Sequence, residues 1–518
     1  MSTLRILWAD DEIELLKPQV MFLEKRGYEV ETVTNGHDAL ELLEEDNTID
    51  LVLLDESMPG ISGLETLEQI KRNNSAMPVV LITKNEAEDV MEEALGAQID
   101  DYLIKPVKPN QILLSIKKLM DNKRLIKEKT SSDYQQKFQE IFSEISMSPD
   151  WKGWVDVYKK IVHWELRLDD SKSTEMGDIL SMQKNEANAE FSKYVEKNYE
   201  NLLNSPPEGL TFSPGLLREY VFPHLRDERP VVFLLLDNLR FDQWKILEPI
   251  VSEYFKVEDE SFFYSILPTC TQYSRNAIFS GMMPGEIAKH HPDYWVHDHE
   301  NEGKNQYERE LLGIQIKNTI RTPIKYDYQK ITTVANAKAL SDSILNCLQK
   351  DLTCIVYNFI DMLSHARTEM EVLKELAGDE SAYRSLTRSW FEHSPLLQAF
   401  EKLADRDVRI VIGTDHGTIR VNTPSKVVAD RDTTTNLRYK HGRNLNFQSK
   451  DVLHFSDPKR VGLPAPHMSS SYIFAKDSKF FLYPNNYNHY NNYFNDTFQH
   501  GGISLEEIIC PIITLGPR

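Results

Sequence analysis

Short apolar runs alternate with helically spaced segments through the first 120 residues. Ile6–Ala9, Tyr28–Val33, Leu51–Leu54, Pro78–Thr83 and Asp101–Ile104 read as strands. Leu15–Arg26, Gly36–Glu45, Leu64–Arg72, Val90–Leu95 and Asn110–Met120 carry apolar residues at helical spacing between and after them. Five such strand–helix units in succession predict a doubly wound parallel sheet, whose ligands bind where the carboxyl ends of the strands meet.

The strand signal then stops. Asn122–Ile145, Trp151–Leu168 and Thr174–Leu203 are charged helical segments, and Trp151, Trp154, Tyr158 and Trp164 form an aromatic stripe that reads as core packing. Ser205-Pro206-Pro207-Glu208-Gly209 breaks the last of them. Beyond it alternation resumes: Val231–Leu236, Cys354–Phe359 and Val408–Ile412 are continuous apolar runs, as expected of strands covered on both faces. Asn485–Phe494, rich in Asn and Tyr, reads as a surface loop. The pattern predicts an α/β protein in three parts: 1–121, a doubly wound sheet; 122–205, a helical bundle; 206–518, a second α/β domain.

Composition narrows the possibilities. The 518 residues include 59 Lys+Arg and 80 Asp+Glu, a net charge of −21, which argues against a protein that coats nucleic acid through a broad basic surface. Residues 1–120 hold 24 acidic and 11 basic side chains, a net of −13, so the other 398 carry only −8 and leave room for a local anion-binding cleft. No apolar run nears the roughly 18 residues of a membrane span, so no membrane insertion is expected. Four cysteines without a CxxC pair predict a reduced, cytoplasmic protein.

Acidic residues stand at the first and third strand ends, Asp10, Asp11 and Asp55, with Thr83 after the fourth and Lys105 after the fifth. Carboxylates brought together repel unless a hard cation neutralises them, and Mg²⁺ suits an all-oxygen site. A carboxylate, a metal cluster, a hydroxyl and an ammonium around one point can make and hold an acyl phosphate. Leu7-Trp8-Ala9-Asp10-Asp11-Glu12, Leu53-Leu54-Asp55-Glu56-Ser57-Met58-Pro59-Gly60, Leu81-Ile82-Thr83 and Tyr102-Leu103-Ile104-Lys105-Pro106 together resemble a two-component receiver domain. That resemblance implies Asp55 as phosphoacceptor, Asp11 as a direct Mg²⁺ ligand with Asp10 in support, Thr83 and Tyr102 as a switch pair, and a cis bond at Lys105-Pro106.

A second set of metal-ligand types follows the apolar runs of the C-terminal part. Asp237 follows Val231–Leu236, Asp415 and His416 follow Val408–Ile412, and Asp361 and His365 stand at i, i+4 after the run at 354–359. His500 lies beside Gly501-Gly502. Three Asp and three His suit Zn²⁺ and are enough for two ions with open positions. Thr271, just before the helical Asn276–Phe279, offers either a nucleophile beside a phosphate-binding helix terminus or a simple N-cap. The neighbouring Cys270 lacks the His–Asn pairing a thiol mechanism needs. Arg275, and the basic cluster Arg438-Tyr439-Lys440-His441-Gly442-Arg443, are substrate-binding candidates with a surface role as the alternative.

From about Leu210 to Arg518 these residues resemble the alkaline phosphatase superfamily, and most closely its PglZ branch, with His500-Gly-Gly-Ile-Ser-Leu-Glu-Glu similar to that branch's C-terminal signature. The resemblance implies Thr271 as nucleophile, one zinc held with Asp237, Asp415 and His416, and the other by Asp361, His365 and His500. The complete order of parts resembles the response regulators of the type IX secretion system. It implies phosphorylation by a sensor histidine kinase, homodimerisation on phosphorylation, zinc phosphodiesterase activity on oligonucleotides or cyclic oligonucleotides, and contacts with a sigma factor and secretion-system proteins. A non-catalytic regulator that uses the metal domain as a binding platform, and a phosphomonoesterase, are the alternatives. No segment reads as a helix-turn-helix with a basic recognition helix, so sequence-specific DNA binding is not expected.

Overall fold

The computed structural model describes the chain apart from residues 1–3, 47, 75–76, 85–98, 148, 171–173, 228, 299, 301–302, 370–377 and 431–432, and apart from the side chains of 121–131, 170, 174–175 and 366–369. The predicted helix at Val90–Leu95 lies outside the described residues. Two compact units emerge, the first built mainly on Met1–Gln135 and the second on Gln136–Asp169 with Thr174–Arg518.

In the first unit β1 (Arg5–Ala9), β2 (Glu29–Val33), β3 (Leu51–Asp55), β4 (Val79–Thr83) and β5 (Asp101–Ile104) form a parallel sheet in the order β2-β1-β3-β4-β5. Strands β3 and β4 are buried along their whole length, which is why they read as unbroken apolar runs. Apolar clusters cover both faces, one around Leu7, Val52 and Leu81 and the other around Trp8, Leu53 and Ile112. Helix Gly63–Asn73 comes so close to β3 that a Cβ on Gly63 would lie 2.2 Å from the Asp55 carbonyl oxygen. The two helices expected at 110–120 and 122–145 are one, Pro109–Ser146. Asp121 and Asn122, where the two were divided, each cost a helix interior only about 0.7 kcal/mol, far less than a proline, so the helix runs through them.

In the second unit, helices Trp151–Asp170 and Thr174–Asn204 form the helical module. Trp154, Tyr158 and Trp164 of the aromatic stripe are buried, and Trp154 meets Phe191 edge to face at 5.4 Å. The main sheet joins β6 (Val231–Leu236), β7 (Phe255–Tyr264), β8 (Tyr326–Ile331), β9 (Leu352–Tyr357) and β10 (Arg409–Gly413) to the terminal strand Ile509–Pro517. From β10 through β6 and β9 to β8 neighbouring strands are parallel; the terminal strand runs antiparallel between β10 and β7. β9 runs two residues ahead of its predicted range because a helix, Phe359–Glu369, already begins at Phe359. Asn485–Phe494 is not a loop: Tyr487–Phe494 is a helix that buries none of its residues, which left the sequence without an apolar period to read.

Candidate functional site

At the carboxyl edge of the first sheet Asp10, Asp11 and Asp55 place ligand oxygens within 4.8 Å of one another. Lys105 extends its ammonium to 2.7 Å from Asp55 Oδ1 and 2.9 Å from Asp10 Oδ2. Burial pushes the Asp55 carboxyl up, against the bond from Lys105. The buried Thr83 hydroxyl donates to Glu56, while Tyr102 is 43% exposed. The bond Lys105-Pro106 is cis. Three carboxylates with one ammonium fit a hard divalent cation and a phosphoryl group.

In the second unit the register aligns three strand ends: Leu236 opposite Tyr357, and Leu235 opposite Gly413. Asp237 and the Asp415–His416 pair therefore leave neighbouring strands side by side, all fully buried. Their ligand atoms lie within 4.8 Å of one another, as do those of Asp361, His365 and His500. The two groups adjoin, for the His416 and His500 rings stack at 4.3 Å. His416 Nδ1 faces the Gly417 carbonyl at 3.1 Å and His500 Nδ1 faces the Thr269 carbonyl at 3.2 Å. With Nδ1–H donating there, each Nε2 lone pair is left for the cluster. Burial keeps both imidazoles neutral by pushing them down.

The donor set fits divalent cations. Asp237 Oδ1 and Asp415 Oδ2 are buried with no hydrogen-bond partner among the described residues. Burial first, then the charge of Asp237, pushes Asp361 up to about 6 and Asp415 well above the usual carboxylate range. Charge of the opposite sign is what such a site lacks. Asp237 Oδ2 is already held by Arg275 at 2.7 Å, so Oδ1 is the free ligand atom.

Helix Thr271–Ser280 begins against this edge, with Cys270 at the N-cap position and no side-chain cap. Thr271 is thus the first helical residue, not the cap, and its Oγ1 lies 3.1 Å from His416 Nε2. The first amides of a helix have no intrahelical partner and favour anions. Cys270 is 5% exposed and burial pushes its thiol up, which disfavours a thiolate.

The basic candidates are placed differently from expectation. Arg275 is buried between carboxylates, bonded to Asp237 and to Glu308 Oε1 at 2.5 Å, and is not a surface residue. Arg438 is also buried; Nε and Nη2 donate to Glu507 at 3.2 and 2.6 Å, and Nη1 donates to the Lys479 carbonyl. Its donors are spent, which corrects its assignment to substrate. Lys440 is 1% exposed, donates to the Thr434 carbonyl at 2.9 Å, and sits over the Tyr483 ring. The cluster falls on a strand, Tyr439–Gly442, whose alternation turns successive residues to opposite faces. His441 stacks on Tyr472 at 4.2 Å and meets Asp298 at 3.2 Å; only Arg443 is exposed.

Asn238 joins the two metal-ligand groups and was not anticipated. Its backbone N–H donates to Asp415 Oδ1 at 3.2 Å, and its side chain donates to Asp361 Oδ1 at 3.4 Å. Its φ of +66° suits an asparagine two residues after a strand end, the one signal the sequence held. Glu308, which grips Arg275, Tyr328 and Lys330, carries no motif.

A parallel receiver sheet with an acidic pocket, on one chain with a mixed α/β domain bearing paired Asp/His groups, defines a response regulator with an alkaline phosphatase-like output domain. Family models match over three stretches: a response regulator receiver domain at 6–117, a PorX response regulator linker domain at 124–203, and a BREX system PglZ alkaline phosphatase-like domain at 216–515. The last covers more than half the chain, which belongs to the PglZ alkaline phosphatase-like family, and the three in order match the PorX architecture. The chain is 35% identical over 116 residues to the transcriptional regulatory protein ResD of Bacillus subtilis, covering 22% of this chain and 48% of ResD. It is 39% identical over 118 residues to a CpxR homolog of Haemophilus influenzae, covering 22% of this chain and 50% of that protein. It therefore spans about half the length of these curated relatives. A CheY-like receiver structure from Methanospirillum hungatei is 31% identical, with TM-score 0.23, covering 23% of this chain and 96% of the other. Among the described residues no helix is long and apolar enough to cross a membrane.

Proposed function

We propose that the chain is a response regulator, phosphorylated on Asp55, whose C-terminal domain hydrolyses oligonucleotide-like phosphodiesters with Thr271 as nucleophile. The observation that carries this reading is Thr271 Oγ1 at a helix N-terminus, 3.1 Å from His416 Nε2 and beside two adjoining Asp/His groups. Two Zn²⁺ ions, one held by Asp237, Asp415 and His416 and the other by Asp361, His365 and His500, would supply Lewis-acid charge and lower the pKa of the Thr271 hydroxyl. Thr271 Oγ1 gives its proton to solvent and attacks phosphorus; the bond to the leaving alcohol breaks and the alcohol takes up a proton from solvent. Water then attacks the phosphothreonine, restores the hydroxyl and releases the phosphomonoester. The free amides at the start of the helix face the non-bridging oxygens. Arg275 orients Asp237, and Asn238 spaces Asp361 from Asp415.

The placement of the arginines supports a diester over a monoester. A monoester brings close to two negative charges and a diester one, and Arg275 and Arg438 are both spent on carboxylates. The linker match agrees with the resemblance to type IX response regulators, and that resemblance implies a role in type IX secretion, a sigma factor and secretion proteins as partners, and a phosphorylation-dependent homodimer.

Zinc content by elemental analysis, and hydrolysis of bis-p-nitrophenyl phosphate against p-nitrophenyl phosphate, test this in wild type and Thr271→Ala. Wild type is expected to bind zinc and to prefer the diester. Thr271→Ala should keep the zinc and lose at least about a thousandfold in kcat, the scale on which removing a covalent nucleophile acts. Diesterase activity retained in Thr271→Ala overturns the mechanism, and activity confined to the monoester overturns the substrate class.

A further inference from the structure

The second helix of the helical module, Thr174–Asn204, carries Lys184, Asn188, Ser192 and Tyr199 at intervals of four, four and seven, which aligns them on one face. Asn188, Ser192 and Tyr199 are each at most 3% exposed. The Asn188 amide is used at both ends: Oδ1 accepts the Leu505 N–H at 2.8 Å, and Nδ2 donates to Glu506 Oε2 at 3.1 Å. Lys184 pairs with Glu506 Oε1 at 2.9 Å. Ser192 Oγ accepts the Asp477 N–H at 3.1 Å. Fifteen residues after Lys184, the Tyr199 hydroxyl accepts the Leu267 N–H at 2.8 Å.

The two stretches gripped in this way carry the chemistry. Leu267 opens the segment that ends in Thr271, and Leu505–Glu506 closes the one that holds His500. They are tied together at Thr269, whose hydroxyl donates to the Gly502 carbonyl at 2.9 Å and accepts the Gly501 N–H at 3.1 Å. The Thr269 carbonyl faces His500 Nδ1 at 3.2 Å, and Glu507 Oε1 accepts the Gly502 N–H at 2.8 Å. Backbone amides anchored to one rigid helix share its position. A shift of that helix moves both anchors at once, and a displacement of about 1 Å at a reacting centre can cost a hundredfold in rate.

We infer that Asn188 and Tyr199 are positioning residues of the catalytic centre, through which the helical module sets the placement of His500 and Thr271. The module is then part of the site's frame, not a spacer. This rests on the assignment of Thr271 and His500 made above.

Full-length Tyr199→Phe and Asn188→Ala test it. The first keeps the ring between Phe212 and Phe455 and removes only the acceptor for Leu267. Its kcat on the chromogenic diester is expected to fall about tenfold with KM unchanged. Asn188→Ala is expected to give up zinc to a chelating dye at about tenfold lower dye concentration, and to shift the visible spectrum of the cobalt-substituted protein. A change in melting temperature alone, with kcat, zinc competition and cobalt spectrum all at wild-type values, overturns the proposal. Should wild type hydrolyse no diester, the proposed activity falls, while zinc competition and cobalt spectrum still decide this inference.

Discussion

Lys440 shows what a buried cation does in this fold. Its ammonium is held by one carbonyl and the face of Tyr483, and burial pushes its pKa down to about 7. In the unfolded chain a lysine titrates near 10.4. Below about 7 it is charged in both states and the folded protein carries the cost of burying the charge. Between about 7 and 10 the unfolded chain binds the extra proton, so stability rises with pH, and above that the difference is gone. Lys440→Met is therefore expected to melt several degrees higher than wild type at pH 6, with the gain shrinking by pH 9. Thermal melts at both values check this; a variant that melts lower at pH 6 than at pH 9, each relative to wild type, contradicts it. The same residue marks a limit of the sequence. Arg438, Lys440 and Arg443 look alike in a string, and only the partners Glu507 and Tyr483, which come from distant segments, separate the buried pair from the exposed one. Asp237, Asp415 and His416 were legible because they follow apolar runs that must be covered strands, and Asp361 and His365 because they stand at i, i+4 just after another; His500 had only its neighbouring Gly501-Gly502 to mark it. Asn238 and Glu308 were not, since their partners come from distant segments.

At the scale of elements, the module helices meet the α/β domain through buried charges. Lys184 pairs with Glu165 and Glu506, Arg240 with Asp242 and Glu380, and Arg384 with Asp242 and Asp169. Gly417, next to His416, belongs to this junction: a Cβ there would lie 2.0 Å from the Glu506 carbonyl oxygen. The helices themselves were readable from their period, and strands β6 and β10 from their apolar runs. The ion network was not, because charged residues at helical spacing also describe a solvated face. Burial alone would push Glu380 up, but the attraction of Arg240 and then Lys184 outweighs it and brings the carboxyl down to about 2. Asp242 is likewise held low by Arg240 and Arg384 against its burial, whereas burial leaves Glu165 raised. A depressed carboxyl adds stability that is complete above its unfolded pKa, near 4.3 for Glu, and is lost as pH falls through its folded value. Glu165 acts in the opposite direction, one group against two. The melting temperature is expected to drop between pH 5 and pH 3, and to drop less steeply in Glu380→Gln. Equal slopes in the two proteins would show that the network does not govern the acid response.

For the whole molecule the uneven charge matters most. The chain carries −21 in all and −13 within residues 1–120, so two copies that meet through their receivers repel at long range. Phosphorylation adds further negative charge to a pocket already holding Asp10, Asp11 and Asp55. Within that pocket Lys105 bonds Asp55 and Asp10, and Thr83 donates to Glu56. On the proposed function, a phosphoryl group on Asp55 would compete for both the ammonium and the hydroxyl and so change what β4 and β5 present to solvent. Tyr102 and Ile104 share one face of β5 and, with Leu114 on the following helix, are exposed at 43%, 37% and 68%, apolar side chains that the proposed dimer would cover. Association on this face has to overcome the like charge, and salt screens that repulsion over about 10 Å at 0.1 M. Light scattering with beryllofluoride, which stands in for the phosphoryl group, is expected to double the mass of wild type. Asp55→Ala and Leu114→Glu should stay monomeric, and the wild-type dimer should tighten from low salt to 0.1 M. A wild-type mass that beryllofluoride leaves unchanged removes the dimer, and a Leu114→Glu protein that still dimerises moves the interface off this face.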